Sequence, residues 1–425
     1  MTFCRSLLFF AGSLAFAADE QQLALAMRAQ FDFERVRSAA VPALSDTTRC
    51  VQSQAAWLSV ASPAELATVH FRKGYCILAD ATITRNPAVF EQAAGEFEKA
   101  IDTWPQSAGP KALLPEPVSS GLRILAEVAR LSKGDDSKTW DHARQELPIA
   151  IQPPACSANV MPAQVCQGLI SIAREWLGYI ALQRNDLYEA GQEFRELPEN
   201  AWSHWIAGRR EFGDRNYKEA ATQFRLACDL WSKSQSQRPA AFFAALEPQP
   251  NMAEALTDLG GAQLLSGDTS GAIVSVNAAI RFNNSLPRAI YFRGRAEELS
   301  GKTEQALADY NLASRIALAS AKDLASGEAH LYRGILLYRR KDYQGAEEEF
   351  ANALNFEISA PLRPDAVAWR HMSAVAGGAC ASSRPLLEES LASVTPYFPK
   401  AEARKVAATC PLTGGSVASG GLGVR

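Results

Sequence analysis

One short stretch of this chain has the residue types of a phosphate-binding loop. Residues 296–303 read AEELSGKT, a small residue followed by four others and then Gly-Lys-Thr. A loop of this kind binds phosphate through backbone N–H groups, and it needs a preceding strand and a glycine-rich turn to direct them. Here helix-forming residues precede the glycine. We therefore interpret the stretch as a turn between two helices and predict no nucleotide site.

The side chains that could bind a metal or act as a nucleophile are spread along the chain. The five histidines stand singly, without the H-x-x-x-H or H-E-x-x-H spacing of a metal site. The stretch GGSVASGG, at 414–421, lacks the strand and helix that flank a nucleophilic serine. The consecutive acids Glu347 to Glu349 are typical of a solvated helix face. The sequence therefore indicates no catalytic residue, no metal site and no cofactor.

The first residues have the pattern of a secretory signal peptide. One basic residue, Arg5, precedes an apolar run from Leu7 to Phe16, and the small residues Ala15 and Ala17 form a cleavage site. The run is too short to cross a bilayer, and no later segment reaches about 18 consecutive apolar residues. We predict a signal peptide over 1–17 and an exported, periplasmic or extracellular protein without an integral membrane span. A buried first helix is the alternative.

The cysteines suit an exported protein. Seven of the eight follow the predicted signal peptide, and none forms a C-x-x-C pair. Outside the cytoplasm such residues can form disulfides. Three pairings would join neighbouring segments: Cys50 with Cys76, Cys156 with Cys166, and Cys380 with Cys410. Cys228 remains, on an apolar helix face where a buried thiol is expected.

Composition favours a folded protein and disfavours a nucleic-acid partner. The chain has 425 residues, of which 47% are hydrophobic and 21% charged, as is typical of globular proteins. At this length, several domains or an elongated repeat are expected. The formal net charge is -3, so the chain lacks the basic excess that binds phosphate backbones.

A recurring spacing of small and aromatic residues predicts helical hairpins. Gly334 is followed twelve positions later by Ala346, sixteen later by Phe350 and nineteen later by Ala353. Because an offset of twelve spans a break between two helices, the small residues would let two helix backbones approach while the aromatic side chain packs beside them. We call the first residue of each match its anchor. Five further anchors begin the same offsets, less perfectly for the last two: Gly294, Gly260, Gly208, Gly178 (with Ala190, Phe194 and Leu197) and Ala81 (with Ala93, Phe97 and Ala100).

With these anchors and the turn segments GDTSGA, GKTEQA, KDYQGA and RNYKEA, the chain resembles the tetratricopeptide repeat family. The interval from Gly260 to Gly294 equals the period of that repeat. The resemblance implies an all-α fold: a right-handed α-solenoid of stacked helical hairpins that forms a superhelix, here with irregular insertions. The predicted segments are N-terminal capping helices over 18–73, the repeat array over 74–357, C-terminal capping helices over 358–411 and a disordered tail over 412–425.

The resemblance also implies a function, that of a non-enzymatic scaffold whose concave groove binds a peptide or helix of a partner protein. In that family the first helix of each hairpin lines the groove. Positions three before, one after and four after each anchor would then share one stripe. Six residues of this stripe are our predicted partner-binding residues: Trp205, Arg209, Phe212, Tyr291, Arg295 and Tyr338. The stripe also contains Glu298, Leu331 and Ile335.

Aromatic side chains beside arginines are typical of binding hot spots, and they favour an acidic or aromatic peptide as the ligand. In the intervening repeat the stripe positions hold Thr257 and Gly261. Members of the family that bind the C-terminal tails of chaperones have lysine and asparagine on this face, so such tails are disfavoured as ligands. Two alternatives stay open. The stripe could consist of side chains that only cover apolar surface or form solvated pairs. The chain could also be an enzyme or an enzyme accessory subunit that uses the insertions at 105–118 and 232–250. The sequence leaves the oligomeric state open.

Overall fold

A computed structural model of the chain describes residues 20–39, 42–104, 116–134, 137–152, 163–237, 246–317, 325–356, 358–393, 395 and 397–410. These residues form 19 α-helices, one 3-10 helix at Ala360–Leu362 and no strand. In chain order the α-helices are α1 Glu20–Ser38, α2 Leu44–Leu58, α3 Leu66–Thr84, α4 Pro87–Asp102, α5 Glu116–Ser132, α6 Ser137–Ala150, α7 Ala163–Gln183, α8 Leu187–Arg195, α9 Ala201–Gly213, α10 Tyr217–Gln237, α11 Met252–Leu265, α12 Thr269–Phe282, α13 Pro287–Leu299, α14 Thr303–Ala317, α15 Ala325–Arg339, α16 Tyr343–Asn355, α17 Arg363–Ala376, α18 Cys380–Ala392 and α19 Lys400–Thr409.

The helices belong to two compact units. Unit 1 comprises Met1–Ile206 and Asp229–Pro250, and unit 2 comprises Ala207–Cys228 and Asn251–Arg425. In unit 1 each helix from α1 to α8 packs against the next one in the chain. In unit 2 the same is true from α11 to α19, and the first helices α11, α13, α15 and α17 also pack side by side. The predicted all-α array of stacked helical hairpins is therefore confirmed.

A close contact between glycine and a buried side chain joins the two helices of most hairpins. A Cβ atom added to Gly178, Gly208, Gly260, Gly294 or Gly334 would lie 2.5–2.9 Å from the side chain sixteen positions later. Those side chains are fully buried: Phe194, Phe224, Val276, Tyr310 and Phe350. Since real Cβ atoms do not approach other atoms so closely, only glycine allows this spacing of the two helices. The physical reason predicted for the recurring offsets is confirmed at these five anchors.

Two hairpins differ in detail from the predicted register. In the hairpin of α3 and α4, the glycine that faces the buried aromatic is Gly74, whose added Cβ would lie 3.0 Å from the ring of Phe97. The predicted anchor, Ala81, lies two helical turns further along α3, because this helix continues well beyond Gly74, to Thr84. In the hairpin of α7 and α8, the second helix ends at Arg195, so Leu197 lies in the following bend instead of on the helix.

The turns between the helices of a hairpin confirm the interpretation of AEELSGKT. Residues 296–299 end α13, and Gly301 adopts a positive φ of 76° in the turn before α14. A helix thus precedes the Gly-Lys-Thr, as predicted. In the equivalent turn after α15, Lys341 has a φ of 66° and the side chain of Asp342 accepts a hydrogen bond from the backbone N–H of Gly345. Such an aspartate begins the next helix by satisfying one of its unpaired donors.

An ion pair that the spacing did not reveal recurs beside the glycine contact. A basic residue directly before the glycine of the close contact binds the acid directly before the buried aromatic residue. The pairs are Lys73 with Glu96 at 3.1 Å, Arg293 with Asp309 at 2.6 and 2.7 Å, and Arg333 with Glu349 at 3.1 Å. In two of these hairpins a histidine one turn earlier also binds the acid through Nδ1, His70 at 2.7 Å and His330 at 2.8 Å. These three hairpins are therefore joined by an apolar contact and an ion pair side by side.

Glu96 makes the pH dependence of this arrangement measurable. Burial alone would raise the pKa of its carboxyl group, but hydrogen bonds from His70, Lys73 and Lys99 outweigh burial and lower the pKa from 4.5 to about 2. A depressed pKa in the folded state stabilises the protein at any pH above the ordinary value, and the stabilisation disappears as the pH falls toward 2. The shift corresponds to roughly 3 kcal/mol at neutral pH.

We expect Glu96→Gln to lower the free energy of unfolding by roughly 3 kcal/mol at pH 7, and by less than half as much at pH 3. Urea titrations of both proteins at the two pH values measure the difference. Glu98→Gln is the control on the same helix, because Glu98 is half-exposed and its pair with Arg130 lies near the surface. An equal loss at pH 7 and pH 3 would contradict the assignment of the lowered pKa to Glu96.

Two of the three predicted cysteine pairs lie within disulfide range. The Cα atoms are 5.9 Å apart for Cys50 and Cys76, which link α2 to α3, and 5.5 Å apart for Cys380 and Cys410, which link the start of α18 to the end of α19. Cys228 is buried in α10, as predicted. The third pair, Cys156 with Cys166, lies outside the described residues.

Other predictions also fall outside the described residues: the signal peptide at 1–17, the tail at 412–425 and much of both insertions. Of the helices that are described, none combines the length and the apolar character needed to span a membrane.

Candidate partner-binding surface

The predicted groove residues lie on the first helices of successive hairpins, but the structure buries half of them. Trp205 belongs to unit 1, where its ring lies 6.0 Å from the ring of Trp202 and 5.9 Å from that of Trp231. It is only 7% exposed. Its indole therefore packs within an aromatic cluster and presents little surface to a partner.

The two predicted tyrosines are likewise buried, in separate aromatic clusters of unit 2. Tyr291 lies 6.1 Å from Tyr332 and 6.3 Å from Tyr310, measured between ring centroids, and burial raises the pKa of its hydroxyl group. Tyr338 lies against Tyr343 and Trp369, with centroids 5.3 and 5.2 Å away. Leu331 and Ile335, the remaining apolar residues of the stripe, are buried as well. At these positions the stripe contributes to packing between hairpins.

Arg209 and Phe212 keep part of their surface exposed on α9. Burial lowers the pKa of the Arg209 guanidinium, and the carboxylate of Glu254 opposes that shift. Glu254 stands in the first turn of α11, so an arginine of one hairpin faces an acid of the next. Phe212 contacts Tyr217 edge-on, with centroids 5.3 Å apart. This end of the stripe combines a cation with an accessible aromatic ring.

Arg295 is held by two kinds of contact at once. Its guanidinium lies 3.7 Å from the ring centroid of Tyr332, and it forms an ion pair with Glu298. Burial would lower the pKa of Arg295, but Tyr332, Tyr310, Tyr291 and Glu298 together raise it. The arginine is therefore always charged and fixed in orientation.

Glu298 is the centre of a small polar network. It accepts a hydrogen bond from the Tyr310 hydroxyl at 2.7 Å, and Arg339 lies 3.2 Å away on the neighbouring first helix. Two guanidinium groups thus share a single carboxylate. Arg339 is 61% exposed and is the part of the network that a partner could reach.

The spacing rule missed three accessible residues on the same helix faces. They lie five positions after Gly260, Gly294 and Gly334: Leu265, Leu299 and Arg339. Because residues one and five positions after an anchor are one helical turn apart, these side chains continue the predicted stripe. Leu265 is 48% and Leu299 58% exposed, high values for leucines on packed helices. The signal was available in the sequence as a recurring offset of five, but only the structure shows that these positions are exposed.

The histidines do not assemble into a site. Four of the five bind single glutamates: His70 with Glu96, His142 with Glu127, His204 with Glu199 and His330 with Glu349. The fifth, His371, contacts the Ser390 hydroxyl and the Leu386 carbonyl oxygen, both at 3.1 Å. Within the described ranges, no three His, Cys, Asp or Glu side chains lie close enough together to hold a metal ion.

Comparison with known proteins gives only distant similarities. No protein-family model matches the chain, and no curated protein sequence matches it. Among solved structures, yeast Tom70 is similar with a TM-score of 0.36 and 12% identity over 92% of this chain and 96% of that one. A signal transduction ATPase with numerous domains from Pyrococcus horikoshii, which carries a tetratricopeptide repeat sensor, is similar with a TM-score of 0.40 and 14% identity over 91% of this chain and 59% of that one. Both scores are low, so the description of the fold rests on the chain's own helices.

Proposed function

We propose that this protein is a non-enzymatic interaction scaffold of the cell envelope or the secreted space. In this proposal, a peptide or helix of a partner protein binds along the first helices of unit 2. The accessible residues of that surface are Arg209, Phe212, Arg295, Leu265, Leu299 and Arg339. The boundaries predicted from the sequence for the capping helices and for the repeat array are part of the same proposal.

The observation that carries the proposal is the row formed by Leu265, Leu299 and Arg339. The three residues occupy equivalent positions on α11, α13 and α15, which pack side by side. Large aliphatic side chains that remain half-exposed on adjacent helices are unfavourable in water unless another surface covers them. Equivalent positions on three adjacent helices therefore form a row of partly exposed side chains, against which a segment of a partner could pack.

The charges of the surface favour a partner that combines apolar and acidic residues. Arg339 and Arg295 share one carboxylate, that of Glu298, so a carboxylate of the partner would complete the pairing. Leu265 and Leu299 would pack against aliphatic or aromatic side chains of the partner. The exported location is supported by the two cysteine pairs in disulfide range, because disulfides persist outside the cytoplasm.

The test begins with affinity capture from envelope extract and culture medium, followed by purification of the captured partner. We expect the double variant Leu265→Ser, Leu299→Ser to raise the Kd for that partner at least tenfold, and Arg339→Glu to raise it as well, because the interactions removed are those at the centre of the surface. Isothermal titration calorimetry measures both.

Val274→Ser is the matched control, since Val274 is 69% exposed but lies on the second helix α12. Its Kd should equal that of the wild type. If the double variant keeps the wild-type Kd while its helicity and Tm are unchanged, the row on the first helices is not the binding surface.

A further inference from the structure

Arg72, on α3 of unit 1, is a buried arginine that contacts aromatic rings instead of an acid. It is only 7% exposed. Among the described residues, none forms an ion pair or a hydrogen bond with its guanidinium. The guanidinium lies 5.3 Å from the ring centroid of Phe33 on α1 and 5.5 Å from that of Trp57 on α2. Burial of a charge costs free energy unless an opposite charge and hydrogen bonds compensate it, and aromatic rings supply only part of that compensation.

The charges that act most strongly on Arg72 are those of Glu34 and Arg37 on α1. Burial lowers the pKa of the Arg72 guanidinium to about 10; the carboxylate of Glu34 opposes that shift, and the guanidinium of Arg37 adds to it. Glu34 is already engaged, because Nε of Arg37 donates a hydrogen bond to it at 2.7 Å. Asp32, the buried acid of α1, lies 4.0 Å from Arg28. The charge of Arg72 is therefore not matched by an acid of its own.

A second hydrogen-bond donor beside Arg72 also lacks a partner. The indole N–H of Trp57 is buried, and it donates to no acceptor among the described residues. A buried indole usually finds an acceptor, and an unsatisfied donor costs free energy. Because the guanidinium of Arg72 lies against the ring of this same tryptophan, the unsatisfied donors of both residues belong to one place between α1, α2 and α3.

We propose that Arg72 and the indole N–H of Trp57 form a binding site for a small oxyanion, a carboxylate or a phosphate group. The guanidinium has five N–H donors in a planar fork that matches the oxygens of either group, and charge-assisted hydrogen bonds of this kind are strong. The bound anion supplies the negative charge that the three helices do not provide, and it stabilises unit 1 because it binds the folded state alone. This inference is independent of the surface proposed for unit 2.

Titration of the full chain with inorganic phosphate and, separately, with acetate tests the site, with chloride keeping the ionic strength constant. Tryptophan fluorescence should change saturably in the wild type, because the anion binds beside Trp57, and the anion with the lower half-saturation concentration identifies the preferred group. Arg72→Met, which keeps the length of the side chain without its charge, should abolish the change. Arg28→Met is the matched control, since Arg28 is 71% exposed on α1, and it should respond like the wild type. A wild type without a saturable response to either anion would overturn the proposal.

Thermal unfolding provides a second measurement. Without phosphate or carboxylate in the buffer, Arg72→Met should keep a Tm close to that of the wild type, because no acid loses its partner. Arg295→Met should lower the Tm clearly more, since Arg295 is paired with Glu298 as well as stacked on Tyr332. Phosphate should raise the Tm of the wild type, raise it less for Trp57→Phe, which keeps a ring but lacks the N–H, and leave that of Arg72→Met unchanged. An equal loss of Tm for the two arginine variants, or an equal gain with phosphate for Arg72→Met and the wild type, would overturn the proposal.

Discussion

Replacement of Phe350 by alanine is expected to lower the free energy of unfolding by about 3–5 kcal/mol, the usual cost of deleting a large aromatic ring from a core. Phe350 is fully buried in unit 2. Its ring stacks on Trp369 with centroids 5.9 Å apart, and it fills the space beside Gly334. The cavity that remains would lie between α15 and α16, where no side chain on the glycine side can fill it.

The glycine opposite the ring makes a sharper test possible. A Cβ at position 334 would lie 2.7 Å from the Phe350 ring, so Gly334→Ala alone should destabilise the protein by about 1–3 kcal/mol through overpacking. In the Phe350→Ala background the obstacle is gone. There, Gly334→Ala should be neutral or stabilising, because alanine forms helix better than glycine by about 1 kcal/mol.

Urea unfolding followed by circular dichroism gives the four free energies of this double-mutant cycle. Gly95→Ala is the matched control, since Gly95 also lies within a helix but an added Cβ would meet no atom within 4 Å. It should be stabilising. If the effects of Gly334→Ala and Phe350→Ala simply add, the close contact does not determine the glycine.

Loss of the Cys50–Cys76 disulfide is expected to lower the free energy of unfolding by about 3 kcal/mol, because a cross-link over a loop of that size removes chain entropy from the unfolded state. Its two cysteines have a sequence separation of 26. Both side chains are fully buried, so Cys50→Ala, Cys76→Ala is the suitable variant. Urea unfolding without reductant measures the loss.

Cys228→Ala provides the control for this measurement, because Cys228 is buried but takes no part in either cysteine pair. It should change the free energy of unfolding by no more than about 1 kcal/mol, as is usual for a small substitution. Thiol labelling of the denatured, unreduced wild type should modify Cys228 and spare the four paired cysteines. Labelling of all seven cysteines that follow the predicted signal peptide would contradict the disulfides and would remove the support they give to an exported location.

The sequence by itself determined the hairpins, because their causes are local. The recurring interval between an anchor glycine and its large apolar partner spans one short turn, so the two helices that it joins must be neighbours in the chain. In the turn that contains Lys341 and Asp342, hydrogen bonds of the local backbone and side chains end one helix and begin the next. Helix pairing, and the position of the close contact at the five glycine anchors, could therefore be predicted without knowledge of any other part of the fold.

Only the tertiary structure decided which residues of each helix face remain accessible. Periodicity placed Tyr291 and Arg295 on one stripe but missed Leu299, one turn further along the same face. Tyr291 is buried by the hairpin that follows, whereas Leu299 extends beyond it. The same limit applies to the hairpin of α3 and α4. Because α3 continues to Thr84, its close contact with Phe97 is made by Gly74, two turns before the predicted anchor Ala81. Residue spacing fixes an angle around a helix axis. How far along that axis the next helix covers the face depends on the packing of residues distant in sequence, and that is set by the assembled core alone.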